Sequence, residues 1–118
     1  MKTKAKQRPV ELVFRAMADR TRLRILNLLR SGEVCVCDLV AVLNVPQPKV
    51  SRHLAYLRRA GLVQARKEGH WAYYRLASNP SPLRSKLLDC LAACDEDLPQ
   101  FSRDAEKLKL CGKTGCCD

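Results

Sequence analysis

The chain has 118 residues, with 22 Lys and Arg against 12 Asp and Glu, and a formal net charge of +10. This length suits one domain that buries about two thirds of its unfolded surface, so neither a disulfide nor a metal is needed for folding. The charge favours a polyanionic partner, and no apolar run approaches the roughly 20 residues of a membrane span. We therefore expect a single domain with no membrane partner.

The start of the chain predicts a flexible arm followed by two helices. Residues 1–8 are polar and basic, and Pro9 suits the beginning of a helix. The apolar positions of this first helix are Val10, Val13, Phe14 and Met17. Asp19 is a suitable N-cap for a second helix, which ends at Gly32. The second helix is expected to turn Leu23, Leu26 and Leu29 to the core.

The next segment predicts a short helix, a tight turn and a longer helix. The short helix carries Leu39, Val42 and Leu43 on one face and ends at residues 44–46, where Asn and Pro disfavour helix. The longer helix begins at Gln47 and ends at Gly61. Its apolar face consists of Val50, Leu54 and Leu57, and Leu62 follows at near-helical spacing. Such a pair of helices is a helix-turn-helix.

Two β-favouring runs follow, LVQARK and WAYYRL, on either side of a turn at residues 68–70 that contains Gly69. The predicted fold class is therefore mainly α with a small β-hairpin, a winged helix-turn-helix. Between residues 47 and 76 there are seven basic residues against the single acid Glu68. A charge run alone is more often a solvated surface. Here the charges lie on a helix with small polar residues and on the adjoining hairpin, which favours binding to double-stranded DNA.

In this interpretation the longer helix enters the major groove and the wing grips the backbone or the minor groove. On the longer helix, Arg52 is expected to read guanine and Gln47 adenine. The residues predicted to contact DNA are Gln47, Lys49, Ser51, Arg52, His53, Arg66, Lys67 and His70.

A second apolar stripe lies after the hairpin, in residues 81–97, and consists of Leu83, Leu87, Cys90, Leu91 and Cys94. Little remains in the domain to cover it, so it predicts a dimerisation helix that is assisted by the first helix. The predicted organisation is an arm at 1–8, a winged helix-turn-helix domain with terminal dimerisation helices at 9–97, and a short polar segment with a Cys-bearing tail at 98–118. Two subunits would cover an inverted repeat. Cys90 and Cys94 are interpreted as packing residues, with metal ligation as the alternative.

Seven cysteines in a chain that starts without an apolar signal segment are expected to be reduced, metal-binding or redox-active in a cytoplasmic protein. Cys35 and Cys37 stand at the predicted start of the short helix, where the helix dipole favours the thiolate that binds soft metals. Positions i and i+2 of a helix point about 200° apart, so we expect both sulfurs to reach one ion only if that turn unwinds. The alternative is that both cysteines are small core residues.

Further cysteines lie near the end of the chain, at Cys111, Cys116 and Cys117. They are candidates for an additional soft-metal ligand or for an oxidation-prone tail. An enzyme is not expected. Residues 112–114 resemble the last three residues of a phosphate-binding loop, but the position of its first Gly is occupied by Lys107. There is also no Cys-x-x-Cys and no clear Cys with a paired base. A metal-buffering protein without specific DNA affinity is the other alternative.

The sequence resembles the ArsR/SmtB family of metal-responsive repressors. The matching segments are FRAMADRTRLRIL at 14–26, CVCDL at 35–39, QPKVSRHLAYLRRAGLV at 47–63 and RKEGHWAYYRL at 66–76. They cover about half of the chain in the order found in the family, and their combination is specific. The cysteine box resembles that of the arsenite-responsive members.

This resemblance implies a homodimeric repressor of an arsenic-resistance operon that leaves its operator when As(III) or Sb(III) binds, with no organic cofactor. It implies that Cys35 and Cys37 are ligands. The third cysteine of the best-known box corresponds to Val40, so a tail cysteine, the partner subunit or a small thiol is left to complete the site. The only histidines are His53 and His70, so the Asp and His site of zinc-responsive relatives has no counterpart. A repressor that responds to cadmium or lead, or to thiol oxidation, remains the alternative.

Overall fold

The structure, a computed structural model, describes residues 9–114, and the side chains of residues 9–111. The arm predicted at 1–8 and the tail cysteines Cys116 and Cys117 lie outside the described residues. Within residues 9–114 there are six helices, three strands and one 3₁₀ turn, in this order: α1 Val10–Met17, α2 Arg20–Leu29, β1 Val34–Cys35, α3 Val36–Leu43, α4 Gln47–Arg59, β2 Val63–Glu68, β3 Trp71–Leu76, α5 Pro82–Asp89, the 3₁₀ turn Cys90–Cys94 and α6 Gln100–Thr114. This architecture confirms the predicted winged helix-turn-helix.

The first two helices begin where the sequence predicted. Pro9 is the N-cap residue of α1. The side chain of Asp19 caps α2 by accepting a hydrogen bond from the backbone N–H of Arg22 at 3.0 Å. The buried face of α2 differs from the predicted one. Leu23 is only partly buried, whereas four residues after it are buried in the core. These four are Ile25, Leu26, Leu28 and Leu29.

The helix-turn-helix is formed by α3 and α4. Asn44 ends α3 in a left-handed conformation with φ of 57°, and its N–H bonds to the carbonyl of Val40 at 2.9 Å. Gly61 follows α4 with φ of 78°. There the N–H of Leu62 bonds to the carbonyl of Leu57 at 3.0 Å, which closes the helix. The predicted apolar faces are confirmed: Leu39, Val42, Leu43, Val50, Leu54 and Leu57 are buried.

The sheet is antiparallel, with the strand order β1-β3-β2. β2 and β3 form the predicted hairpin, with Val63 opposite Leu76 at its base and Glu68 opposite Trp71 at its tip. The additional strand β1 lies on the other side of β3, where Cys35 is opposite Tyr73. The sequence did not predict β1, because two residues are too short to show the alternation of a strand.

The helix predicted over residues 81–97 is shorter in the structure. Ser81 caps α5 through a hydrogen bond from the N–H of Arg84 at 3.3 Å, but α5 ends at Asp89 and the chain tightens into the 3₁₀ turn. This turn places Leu91, which is fully buried, into the core. The single continuous helix that the apolar stripe predicted is therefore replaced by a shorter helix and a turn that buries Leu91. No residue of α5 itself is buried.

The last helix, α6, occupies much of the segment predicted to be polar with a Cys-bearing tail, and it packs against α2 and α3. Asp104 is fully buried and accepts two hydrogen bonds from the guanidinium of Arg24, at 2.7 and 2.9 Å. The buried side chain of Asn27 donates to the carbonyl of Phe101 at 3.1 Å. Lys107 donates to the carbonyl of Val42 at 3.1 Å and so joins α6 to the end of α3. Among the described helices, none combines the length and apolar character needed to cross a bilayer.

The ion pair of Asp104 with Arg24 should be a main source of stability for this packing. Replacing Asp104 by Asn removes the charge from a buried site, and we expect the free energy of unfolding to fall by about 2–3 kcal/mol, since Arg24 keeps some access to solvent. Urea denaturation followed by circular dichroism measures this change.

The matched control is Glu106→Gln, two residues further along α6. Glu106 is 75% exposed and lies 3.7 Å from Lys109, so its loss should change the free energy of unfolding by less than about 0.5 kcal/mol. Equal effects of the two substitutions would contradict the importance of the Asp104 pair.

Candidate functional site

The two box cysteines lie at the junction of β1 and α3. Cys35 is the last residue of β1 and also the N-cap of α3, with an extended backbone at φ −72° and ψ 145°. Cys37 is the second residue of α3. The two Sγ atoms are 3.3 Å apart, and Cys35 is only 4% exposed. The structure therefore brings these two sulfurs together, and Cys35 is a free thiol.

This proximity corrects one expectation from the sequence, which held that the sulfurs point in opposite directions unless the helix unwinds. The expectation assumed that both cysteines lie in the helix, whereas the extended conformation of Cys35 turns its side chain toward that of Cys37. With metal–sulfur bonds of about 2.3 Å, two sulfurs bound to one ion are about 3.3 to 3.8 Å apart for bond angles between a right angle and the tetrahedral value. The pair thus fits one thiophilic ion while α3 keeps its first turn.

The thiol pair opens into a cleft of about 250 Å³ between α3, α4 and the wing. Gln47 and Ser51 of α4 line this cleft, as do His70 and Trp71 of the wing. Three residues predicted to contact DNA, Gln47, Ser51 and His70, therefore border the same space as the two sulfurs. A ligand on the sulfurs would lie between the two elements that are predicted to bind DNA.

Within residues 9–111, His, Cys, Asp and Glu form no group of three or more that fits a metal ion. Cys111 is half-buried and packs against the core. Cys90 and Cys94 instead donate to backbone carbonyls, Cys90 to Leu87 at 2.9 Å and Cys94 to Cys90 at 3.6 Å. Burial raises the pKa of Cys94, and the nearby Cys90 and acidic side chains add to that effect, which disfavours the thiolate needed for ligation.

Most of the predicted DNA-contacting side chains are on the outer surface. On α4, Gln47, Lys49, Ser51 and Arg52 are exposed, and Lys67 and His70 are exposed on the wing. Within residues 9–111, the cations Lys49, Arg52 and Lys67 take part in no ion pair. Uncompensated cations on one helix and an adjoining hairpin are the arrangement that phosphate groups attract.

His53 differs from these residues because it faces the scaffold. Its Nδ1 lies 3.3 Å from the guanidinium of Arg22 and 4.0 Å from the carboxylate of Asp19. Arg22 also donates to two carbonyls at the end of α1 and lies 4.1 Å above the ring of Tyr56. Burial lowers the pKa of His53, and neighbouring cations, including Arg22 and Arg52, add to this effect against Asp19. His53 therefore links α4 to the first two helices in an environment that disfavours its charged form.

Arg66 is also engaged within the protein. It donates to both carboxylate oxygens of Glu33, at 3.0 and 2.7 Å, and to Glu68 at 2.6 Å, and its guanidinium lies 4.6 Å from the ring of Tyr73. The hydrogen bonds from Arg66 lower the pKa of Glu33, while those to Glu33 and Glu68 raise the pKa of Arg66. Sequence reasoning missed Glu33, because only the pairing of β1 with the wing brings it beside Arg66. It also missed Tyr73, which the register of the hairpin places opposite Arg66.

Comparisons with known proteins agree with this geometry. The family model described as "Bacterial regulatory protein, arsR family" matches residues 19–65. The arsenical resistance operon repressor of Escherichia coli K12 is 45% identical over 93 residues, which cover 78% of this chain and 79% of that protein. Arsenic resistance transcriptional regulator ArsR1 of Pseudomonas putida is 53% identical over 66 residues, 55% of this chain and 52% of that protein.

Among solved structures, HlyU of Vibrio cholerae has a TM-score of 0.63 and 36% identity, covering 78% of this chain and 94% of that one. The homodimeric winged helix-turn-helix DNA-binding domain Mb0332 of Mycobacterium bovis has a TM-score of 0.62 and 34% identity, covering 75% of this chain and 81% of that one.

Proposed function

Because the chain belongs to the arsR family of bacterial regulatory proteins, we propose that it is a cytoplasmic, homodimeric, DNA-binding repressor of an arsenic-resistance operon. In this proposal As(III) or Sb(III) binds Cys35 and Cys37 and releases the repressor from its operator. The relatives named for arsenic resistance support the class of inducer. The observation that carries the proposal is the pair of sulfurs 3.3 Å apart, in a cleft shared with α4 and the wing.

Thiol chemistry suits these two residues to a trivalent metalloid. Soft ions prefer sulfur ligands, and arsenite reaches them as a neutral trihydroxide. Each As–S bond that forms replaces one As–OH bond, and the thiol proton leaves with the hydroxide as water. Because the sulfurs already lie near the spacing of two ligands on one ion, Cys35 can adjust to the ion without unwinding of α3.

The third ligand is proposed to come from the cysteines near the end of the chain. α6 packs against α3, with Lys107 bound to the carbonyl of Val42, so the end of the chain follows a helix that is anchored beside the thiol-bearing one. Cys111 packs against the core and joins no metal-holding group with the pair. Cys111, Cys116 and Cys117 are the candidates, with the partner subunit or a small thiol as the alternatives.

DNA binding is proposed to use the exposed face of α4 and the wing. Gln47, Lys49, Ser51 and Arg52 would meet the major groove, while Lys67 and His70 would meet the backbone or minor groove. Arg66 would also contact the backbone or minor groove when Glu33 and Glu68 release its guanidinium. For His53 we propose a supporting role, since its Nδ1 faces Arg22.

The homodimer is proposed to form through α1 and α5. Val10 and Phe14 of α1 are 52% and 50% exposed, and α5 has no buried residue, so both helices leave apolar surface for a second copy. The homodimeric structure of Mb0332 supports the formation of a dimer. A two-fold dimer would place two copies of α4 on successive major grooves of an inverted repeat.

Release is proposed to act through the cleft. An inducer on the sulfurs lies beside Gln47 and Ser51 on one side and beside His70 and Trp71 on the other. Its binding changes the spacing between α4 and the wing, and both must fit the same DNA segment. Inducer affinity and operator affinity are therefore linked, with a coupling that typically amounts to about 5-fold to 150-fold.

A second candidate is a repressor that senses thiol oxidation, or cadmium or lead in place of arsenic. The close approach of the Cys35 and Cys37 sulfurs favours it, because neighbouring cysteines can exchange disulfides and, when reduced, bind soft ions. A gel shift titrated separately with arsenite, antimonite, cadmium, lead, zinc and peroxide distinguishes these inducers.

DNA binding is tested first at Arg52. We expect Arg52→Ala to weaken binding to an operator duplex about 10-fold or more, because it removes an exposed cation from the face of α4 that is proposed to enter the major groove. Fluorescence anisotropy at fixed salt measures the affinity, and sedimentation shows whether the dimer persists.

Arg58→Ala is the matched control, since it removes the same charge from an exposed position at the other end of α4. Its effect should stay below about 3-fold, as expected for a charge far from the bases. If Arg52→Ala binds as tightly as the wild type, Arg52 is not a DNA contact.

The inducer site is tested with Cys35→Ser and Cys37→Ser. Each variant should bind the operator with wild-type affinity but lose release by arsenite, because serine oxygen is a poor ligand for a soft ion. The single tryptophan of the chain, Trp71, borders the cleft, so its fluorescence reports arsenite binding directly.

Cys90→Ser is the control here, since Cys90 is exposed and lies outside the cleft. The double variant Cys116→Ser/Cys117→Ser, compared with Cys111→Ser, identifies the third ligand by its loss of arsenite affinity. Wild-type release in both box variants would place the inducer site elsewhere.

A further inference from the structure

A row of three residues crosses the sheet from the thiol pair to the wing. Cys35 of β1 is opposite Tyr73 of β3, and Tyr73 is in turn opposite Arg66 of β2. Side chains opposite each other in an antiparallel sheet are close neighbours, and the guanidinium of Arg66 indeed lies 4.6 Å from the ring of Tyr73. A displacement of Cys35 therefore has a direct route to the wing that does not pass through α3 or α4.

Glu33 provides a second contact between the β1 segment and Arg66. It directly precedes β1, two residues before Cys35, and its carboxylate holds both Nε and Nη2 of Arg66 at 3.0 and 2.7 Å. A bidentate pair of this kind fixes direction as well as distance. The segment that carries the first sulfur is thus bound to β2 although it forms no strand pairing with β2.

We propose that Glu33 is a positioning residue that couples the thiol pair to the wing, through its two-point contact with Arg66. This inference rests on the proposed function and adds the route by which inducer binding reaches the DNA-binding surface. When Cys35 adjusts to a bound ion, Glu33 moves with it. Arg66 then either moves together with Glu33 or loses one of its two hydrogen bonds to the Glu33 carboxylate. Either change alters β2, the strand of the wing that carries Arg66 and Lys67.

The second carboxylate on Arg66 provides an internal comparison. Glu68 is opposite Trp71 at the tip of the hairpin, and it accepts a hydrogen bond from Nη1 of Arg66 at 2.6 Å. Its side chain is 69% exposed, against 29% for Glu33. Glu68 belongs to the wing itself, so its contact with Arg66 moves with the wing and transmits nothing from the thiol pair.

The experiment measures coupling separately from affinity. The full-length wild type, Glu33→Gln and Glu68→Gln are each titrated with a duplex that the wild type has selected from a random library, with and without saturating sodium arsenite. The coupling factor is the ratio of the two dissociation constants. Arsenite affinity of each DNA-free protein is followed by the fluorescence of Trp71.

We expect a wild-type coupling factor of about 10 or more. Glu33→Gln should lower that factor at least 3-fold, while its arsenite affinity without DNA stays within about 2-fold of the wild type, because the sulfurs are untouched. Glu68→Gln should keep the wild-type factor. In an Arg66→Gln background, Glu33→Gln should have no further effect, whereas a general loosening of the wing would give an additional loss.

Glu33→Asp serves as a second variant, because it keeps the charge and shortens the side chain by one methylene, so the two-point contact is lost. It should resemble Glu33→Gln and covers the case in which Glu33→Gln fails to fold. A wild-type coupling factor in a folded Glu33 variant, or an equal loss in Glu68→Gln, overturns the inference. If the wild type itself shows a factor of 1, the proposed function fails and the inference fails with it.

Discussion

The double position of Cys35 is the constraint on which the proposed response depends. As the last residue of β1 it is paired with β3, and as the N-cap of α3 it begins the helix that supports α4. Its extended backbone places its sulfur 3.3 Å from that of Cys37, which a helical residue at the same position would not do. One residue therefore belongs to the thiol pair, to the wing sheet and to the helix-turn-helix.

The remaining packing holds this junction in place. Buried leucines and valines fix α3 against α4, and the fully buried Asp104 of α6 binds Arg24 of α2 from the opposite side. With the helices held in this way, the wing is attached to the domain by strand pairing and by the exposed pair of Glu33 with Arg66. Exposed ion pairs contribute little to stability, so this attachment is suited to adjustment while the helical core persists.

Local sequence patterns predicted most of the fold. The caps at Asp19 and Gly61, the apolar faces of α3 and α4, and the hairpin around Gly69 follow from spacing and turn chemistry, which act over a few residues. Contacts between distant segments were not predictable. β1 is too short to show a pattern, the end of α5 depends on burial of Leu91, and the pairing of Glu33 with Arg66 requires the sheet to be formed. The same limitation led to the wrong expectation that the two sulfurs diverge.

Hydrogen exchange of backbone amides, with and without arsenite, tests most directly whether the inducer acts through the sheet while α3 stays intact. The amides of Leu39 and Val40 report the first turn of α3, and those of Tyr73 and Tyr74 report the strand paired with β1. We predict that arsenite leaves the protection of Leu39 and Val40 unchanged and alters that of Tyr73 and Tyr74. Loss of protection at Leu39 and Val40 with an unchanged β3 would contradict this account.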